Sequence, residues 1–97
     1  MPKTEVRERF PLGHVVATPG ALRLLEEKGV SPDVLLRRHQ NGDWGVVCLS
    51  DRHANEDALR LGERLLSAYV VGGDADKLWV ITEADRSSTC ILRPDEY

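Results

Sequence analysis

Leu65-Leu66-Ser67-Ala68-Tyr69-Val70-Val71, Leu78-Trp79-Val80-Ile81-Thr82 and Ser88-Thr89-Cys90-Ile91-Leu92 are three short runs rich in β-branched and aromatic residues, the composition of strands. In the first, Leu66, Ala68 and Val70 alternate with Ser67, Tyr69 and Val71, so neighbouring side chains leave on opposite sides. Between the runs lie Gly72-Gly73-Asp74-Ala75-Asp76 and Glu83-Ala84-Asp85-Arg86-Ser87, which supply turn chemistry. Pro94 stops the last run. Residues 65–92 therefore read as a three-stranded antiparallel meander. Such a ribbon must cover its apolar face, and the cover has to come from the segments that precede it.

Those segments read as helices. Thr18-Pro19-Gly20-Ala21 places a capping hydroxyl before a proline at the first helical position, where the missing N–H costs nothing. The pattern runs to Gly29, with Ala21, Leu22, Leu24 and Leu25 apolar and Arg23, Glu26, Glu27 and Lys28 left for water. Ser31-Pro32-Asp33 repeats the start signal for a second helix carrying Val34, Leu35, Leu36 and His39 and ending near Asn41-Gly42. The two make an αα-hairpin. Asp43-Trp44-Gly45 reads as a loop and Val46-Val47-Cys48-Leu49 as strand or coil. A third helix, capped by Ser50 or Asp51, runs through Ala54, Ala58, Leu59 and Leu61 toward Gly62. Val15-Val16-Ala17, introduced by Phe10 and Leu12, is a short strand available to one sheet edge. The expected fold is α+β, with N-terminal helices packed on one face of a three- to four-stranded antiparallel sheet; residues 1–9 form a flexible N-terminal arm and residues 10–97 a single domain.

At 97 residues the chain has room for one core. Its formal charge is -3, which speaks against a duplex nucleic-acid partner, since such partners need a broad cationic surface. Residues 1–48 hold seven basic and six acidic side chains (+1), and residues 49–97 six basic and ten acidic (-4). The acidic half either faces a cationic partner or is ordinary solvated surface. No apolar run approaches the roughly 20 residues of a membrane span. The first nine residues are charged and lack an apolar core, so the chain reads as cytoplasmic rather than secreted. Cys48 and Cys90 have no metal-knuckle or redox spacing and read as two reduced, buried thiols, with a structural bridge between them as the alternative.

The densest chemistry lies in Glu83, Asp85 and Arg86 with Ser87, Ser88 and Thr89. An arginine there clamps an anion beside a carboxylate acceptor, or the group is a turn in which Asp85 caps backbone N–H groups and Arg86 pairs with a neighbour. Trp44, with Asp43 in the Gly42–Gly45 loop, is either an interface anchor or a lid folded onto the core. His39 with Asp43, and His53 with Asp57, are each four residues apart. No motif brings these pairs together, so no metal is expected. His14 reads as structural. Thr18-Pro19-Gly20-Ala21 offers helix N–H groups to an anion but lacks a phosphate-loop pattern and reads as a cap. No nucleophile elbow and no cofactor motif is present.

On Phe10-Pro11-Leu12-Gly13, Val16-Ala17-Thr18-Pro19-Gly20-Ala21-Leu22, Arg38-His39, Gly42-Asp43-Trp44-Gly45, Trp79-Val80-Ile81-Thr82-Glu83-Ala84-Asp85-Arg86-Ser87 and Pro94-Asp95-Glu96-Tyr97, the chain resembles a family of small "plasmid-related" proteins of bacterial mobile elements. Val46-Val47-Cys48 departs from that pattern, in which polar or acidic residues follow the tryptophan loop. The family brings no activity or catalytic residues with it. With the small acidic composition and the lack of a catalytic motif, the resemblance implies a small non-enzymatic accessory protein that binds a protein partner, such as a host defence complex (anti-restriction or anti-CRISPR); the loop residues Asp43, Trp44, Glu83, Asp85 and Arg86 are the expected contacts. Two alternatives stand beside it. One is a metal-independent ribonuclease of barnase-like or RelE-like architecture, with Arg86, Arg93, Glu83 and a histidine in acid-base and anion-binding roles. The other is a structural subunit of a plasmid assembly, most simply a homodimer through the edge strand.

Overall fold

A computed structural model describes residues 8–72 and 76–97. Residues 1–7, most of the expected arm, and Gly73, Asp74 and Ala75 of the first expected turn lie outside the described residues. The fold is α+β: β1 (His14–Ala17), α1 (Pro19–Lys28), α2 (Pro32–Gln40), α3 (Leu49–Leu61), β2 (Leu65–Val70), β3 (Lys77–Thr82), β4 (Ser88–Leu92) and a 3-10 turn at Pro94–Glu96. The last residue of the expected arm is tied down. Arg9 donates its backbone N–H to Gln40 and pairs its guanidinium with Glu56 at 2.9 Å.

The helix caps act where the sequence places them. Thr18 accepts the Ala21 N–H and Gly29 closes α1 in the left-handed region at φ 66°; Ser31 accepts the Asp33 N–H at the head of α2. α3 is different. It begins at Leu49 behind Cys48, which makes no side-chain cap; Ser50 sits inside the first turn with its hydroxyl against the Cys48 sulfur at 3.3 Å. Both cysteines are free, but Cys48 is exposed rather than buried, because its thiol occupies that uncovered cap position.

The strand order is β1-β4-β3-β2. β2, β3 and β4 form the antiparallel meander. β1 joins the free side of β4 and runs parallel to it, Val16 opposite Cys90, so the sheet is mixed rather than wholly antiparallel. Gly13 explains the direction. With φ 68°, it lets the chain lie so close to the β3–β4 turn that a Cβ there would stand 2.4 Å from the Arg86 carbonyl oxygen. β1 and β4 thus start from the same end of the sheet.

One sheet face bears Leu65, Ser67 and Tyr69 of β2, Leu78, Val80 and Thr82 of β3, and Thr89 and Ile91 of β4, all buried. Ala21, Leu24 and Leu25 of α1 and Leu35 of α2 pack there with Tyr69, Leu78, Val80 and Ile91. Positions 21, 24 and 25 share one helical arc. Leu22 lies off that arc and is half exposed, contrary to its expected place in the core. A second cluster joins Phe10, Trp44, Ala58 and Leu65, with Leu59 against it.

Candidate binding surface

The residues singled out in the sequence are joined to the protein's own frame. Trp44 is buried, stacks on Phe10 at 6.4 Å between ring centres and donates Nε1–H to Glu56 at 3.1 Å. It is the lid of the second cluster and offers no surface to a partner. Its loop doubles as a strand: Ala68 N–H donates to the Trp44 carbonyl at 3.1 Å, and Val46 N–H donates to the Ala68 carbonyl at 2.7 Å. Gly45 permits this contact, since with φ 78° its Cβ would fall 1.9 Å from the Ala68 oxygen. Asp43 pairs with Arg38 at 2.7 Å and accepts the Gly45 N–H; the Arg38 hydrogen bond, above all, holds its carboxyl below the usual range.

Arg86 plays a comparable part at the other hairpin end. It is the one non-glycine with positive φ among the described residues (61°), and its guanidinium donates to the carbonyls of Glu63 (2.6 Å), Ala58 (3.1 Å), Glu83 (3.1 Å) and Ala84 (3.2 Å). The Ala58 and Glu63 carbonyls belong to the end of α3 and the segment after it; the Ala58 carbonyl also accepts the Gly62 and Glu63 N–H groups, so the guanidinium reinforces that helix end. Asp85 accepts the Ser87 N–H at 2.9 Å. Glu83 lies 3.7 Å from Arg64, and Arg93 lies 3.5 Å from Asp95. The two groups of candidates meet through Phe10, which has Trp44 on one side and the Arg86 guanidinium 5.7 Å from its ring centre.

His39, read from sequence as part of an apolar helix face, is fully buried and heads a polar relay. Nδ1 is 2.5 Å from Ser67 Oγ, Nε2 is 2.9 Å from Thr82 Oγ1, Thr82 is 2.7 Å from Thr89 Oγ1, and Thr89 donates to the Leu12 carbonyl at 2.7 Å. The terminal carbonyl only accepts, so the chain of donors fixes the rest: Thr82 donates to Thr89, Nε2–H donates to Thr82, and Ser67 donates to Nδ1. Burial, reinforced by the positive charge of Arg86, pushes the imidazole down to about 4. Both ring nitrogens are spent, so His39 and Asp43 do not share a ligand. His53 is exposed, while Asp57 pairs with Arg60 at 2.6 Å. Among the described residues no three metal-ligating side chains converge.

The anion position at the head of α1 is filled from within. Glu96 accepts from the Thr18 hydroxyl and from the Gly20 N–H (3.2 Å) and Arg93 N–H (2.8 Å); the Thr18 bond is first among the contacts that hold its carboxyl low. A groove of about 470 Å³ between the N-terminal segment and α2, lined by Glu8, Leu12, Asp33, Leu36, Arg37 and Gln40, contains none of the candidates.

What stays unused is the second sheet face, which the sequence reading passed over. The register places Val16, Leu66, Ala68, Val70, Trp79, Ile81, Cys90 and Leu92 on it, and none of them belongs to the two helix-packed clusters. Tyr97 lies against Trp79 at 5.7 Å between ring centres, and its hydroxyl accepts from Arg64 at 2.8 Å. At the rim stand the ion-paired Arg64–Glu83 and Arg93–Asp95. The alternation in residues 65–71 was the available signal, because both of its phases are apolar. No protein-family model matches the chain, and no curated protein or solved structure matches it either.

Proposed function

We propose that this chain is a non-enzymatic binding module that engages a protein partner through the helix-free face of its sheet, centred on Trp79. One observation carries the reading: a largely apolar sheet face that belongs to neither helix-packed cluster is buried at Ala68, Ile81 and Leu92, half-buried at Leu66, Trp79 and Cys90, and exposed at Val16 and Val70. A ring of this size on a flat apolar surface is the usual anchor of a protein interface. The predicted site residues Asp43, Trp44, Glu83, Asp85 and Arg86 support the domain from behind. The resemblance to mobile-element proteins makes a component of a bacterial defence complex the class of partner to look for.

The test compares tagged wild-type chain with Trp79→Thr, which keeps a β-favouring residue in the strand, as baits in a bacterial host extract. Wild type is expected to retain one stoichiometric protein and the folded variant to lose it. Equal recovery by both, or recovery of nothing, overturns the proposal.

A further inference from the structure

We propose that β1 is a pairing edge for a second copy of this chain: two β1 strands meet antiparallel about Val16 and join the two four-stranded sheets into one. The inference shares only Val16 with the Trp79 face, and it rests on how differently the two edges of the sheet are finished.

The β2 edge is closed at two successive outward positions, Leu66 and Ala68. Asn55 of α3 gives Nδ2–H to the Leu66 carbonyl at 2.7 Å and takes the Leu66 N–H at 3.1 Å, a side chain doing the work of a strand. The next outward residue, Ala68, is paired on both groups by Trp44 and Val46. Among the described residues the β1 edge has no such finish. Its His14 and Thr18 N–H groups donate toward β4, to Ser87 and Ile91, so by the alternation of a strand Val15 and Ala17 point their N–H and C=O groups away from the sheet. His14, Val15 and Val16 are all exposed although they alternate between the two faces. Neither proline, lysine nor a bulge protects the strand, the devices by which such edges are ordinarily kept from pairing.

A second copy fits this edge better than a charged peptide does. Antiparallel pairing with Val16 opposite Val16 sets Val15 against Ala17 twice, so that all four outward N–H groups of the two strands find carbonyls. The strand carries no carboxylate, lysine or arginine to direct a partner of opposite charge. The same register sets His14 of each copy opposite Thr18 of the other, whose hydroxyl is held by Glu96; an imidazole thereby meets a carboxylate at both ends of the ribbon. Four residues per strand bury far less than the roughly 1,200 Å² of a stable interface, so the association is weak and depends on concentration.

The experiment uses the full chain at about 0.02 to about 1 mM, reading diffusion by NMR and exchange protection of the Val15 and Ala17 amides. Both amides should gain protection as the concentration rises and the diffusing species grows toward twice the mass. Val15→Pro removes an outward N–H at an edge position that tolerates proline; Val16→Lys sets like charges together at the two-fold axis. Each should weaken association at least ~10-fold while the melting midpoint stays near that of wild type; Leu61→Lys, on the exposed side of α3, should not. A chain that stays monomeric throughout, variants that associate like wild type, or protection that appears only when another protein is added would each overturn the proposal. Val15→Pro should still retain the partner captured through Trp79, so failure of one reading is distinguishable from failure of the other.

Discussion

Lowering the pH from about 7 to about 4.5 should destabilise this protein through one residue, His39. The folded state holds the imidazole at about 4 against an ordinary value of 6.5, so the unfolded chain binds a proton that the native state refuses. Stability therefore rises with pH across that interval: it is fully present above about 6.5 and is lost progressively as the pH falls toward 4. At ~1.36 kcal/mol per pKa unit the whole interval is worth about 3 kcal/mol, of which about 2 is lost by pH 4.5. The relay gives the cost a structural meaning. Nδ1 accepts from Ser67 in the neutral state, and a proton placed there turns that acceptor into a donor inside the core, near Arg86.

Urea titrations at several pH values measure this directly. With a slope near 1 kcal/mol per M for a domain of this size, the midpoint should fall by about 2 M between neutral pH and pH 4.5. His39→Gln is the control, because its amide offers a donor and an acceptor in similar positions and does not titrate. The carboxyls of Asp43, Glu56, Asp85 and Glu96 are all held low, so their contributions disappear only as the pH falls through and below the ordinary carboxylate range; they are also common to both proteins. His39→Gln should flatten the dependence between about 6.5 and 4.5. A wild-type midpoint that does not move in that window, or a variant that moves as much as wild type, refutes the argument.

Asn55→Ala strips both caps from the Leu66 backbone and should cost about 2 kcal/mol in urea unfolding, whereas an alanine at the exposed neighbour Ala54 is already native and shows that the helix itself accepts it. Gly45→Ala should prevent folding or cost several times the ~1 kcal/mol of Gly29→Ala: both residues have positive φ, but a Cβ at Gly45 meets the Ala68 carbonyl and one at Gly29 meets nothing within 4 Å; thermal melts rank them. Arg86→Gly and Arg86→Ala both remove the guanidinium from its four carbonyls, yet the glycine relieves the positive φ, so the alanine variant should be the less stable by about 1 kcal/mol.

The helices, the meander and the capping residues were legible because each depends on local chemistry: Thr18 and Ser31 before prolines, and Gly29 and Gly62 after the last apolar turns. The direction of β1 was not, since it follows from a contact between Gly13 and Arg86, far apart in the chain. The same holds for the candidate residues. A cluster such as Glu83-Ala84-Asp85-Arg86 looks alike in sequence whether its guanidinium faces water or the end of a helix, and only the placement of α3 decides it. Asn55 left a faint trace as a poor helix former in mid-helix; His39 showed as a member of an apolar helix face, but its relay did not, because its partners Ser67 and Thr82 come from other strands.

The distribution of charge separates the surface proposed here from the one the acidic C-terminal half suggested. Five of its ten carboxylates are already ion-paired: Glu56 pairs with Arg9, Asp57 with Arg60, Asp76 lies 3.9 Å from Lys28, and Glu83 and Asp95 lie beside Arg64 and Arg93. The Trp79 face between them is apolar, and it is rimmed by pairs that are already neutral. Attraction between exposed charges is strongly screened once the Debye length falls below the charge separation, near 3 Å at about 1 M salt against ~10 Å at 0.1 M, whereas burial of apolar surface is not weakened in this way. Partner capture through Trp79 should thus be nearly unchanged from about 50 mM to about 500 mM sodium chloride. A steep loss of affinity over that range, measured by titration calorimetry on the isolated pair, would move the binding site off the sheet face and onto the acidic side chains of α3 and the turns.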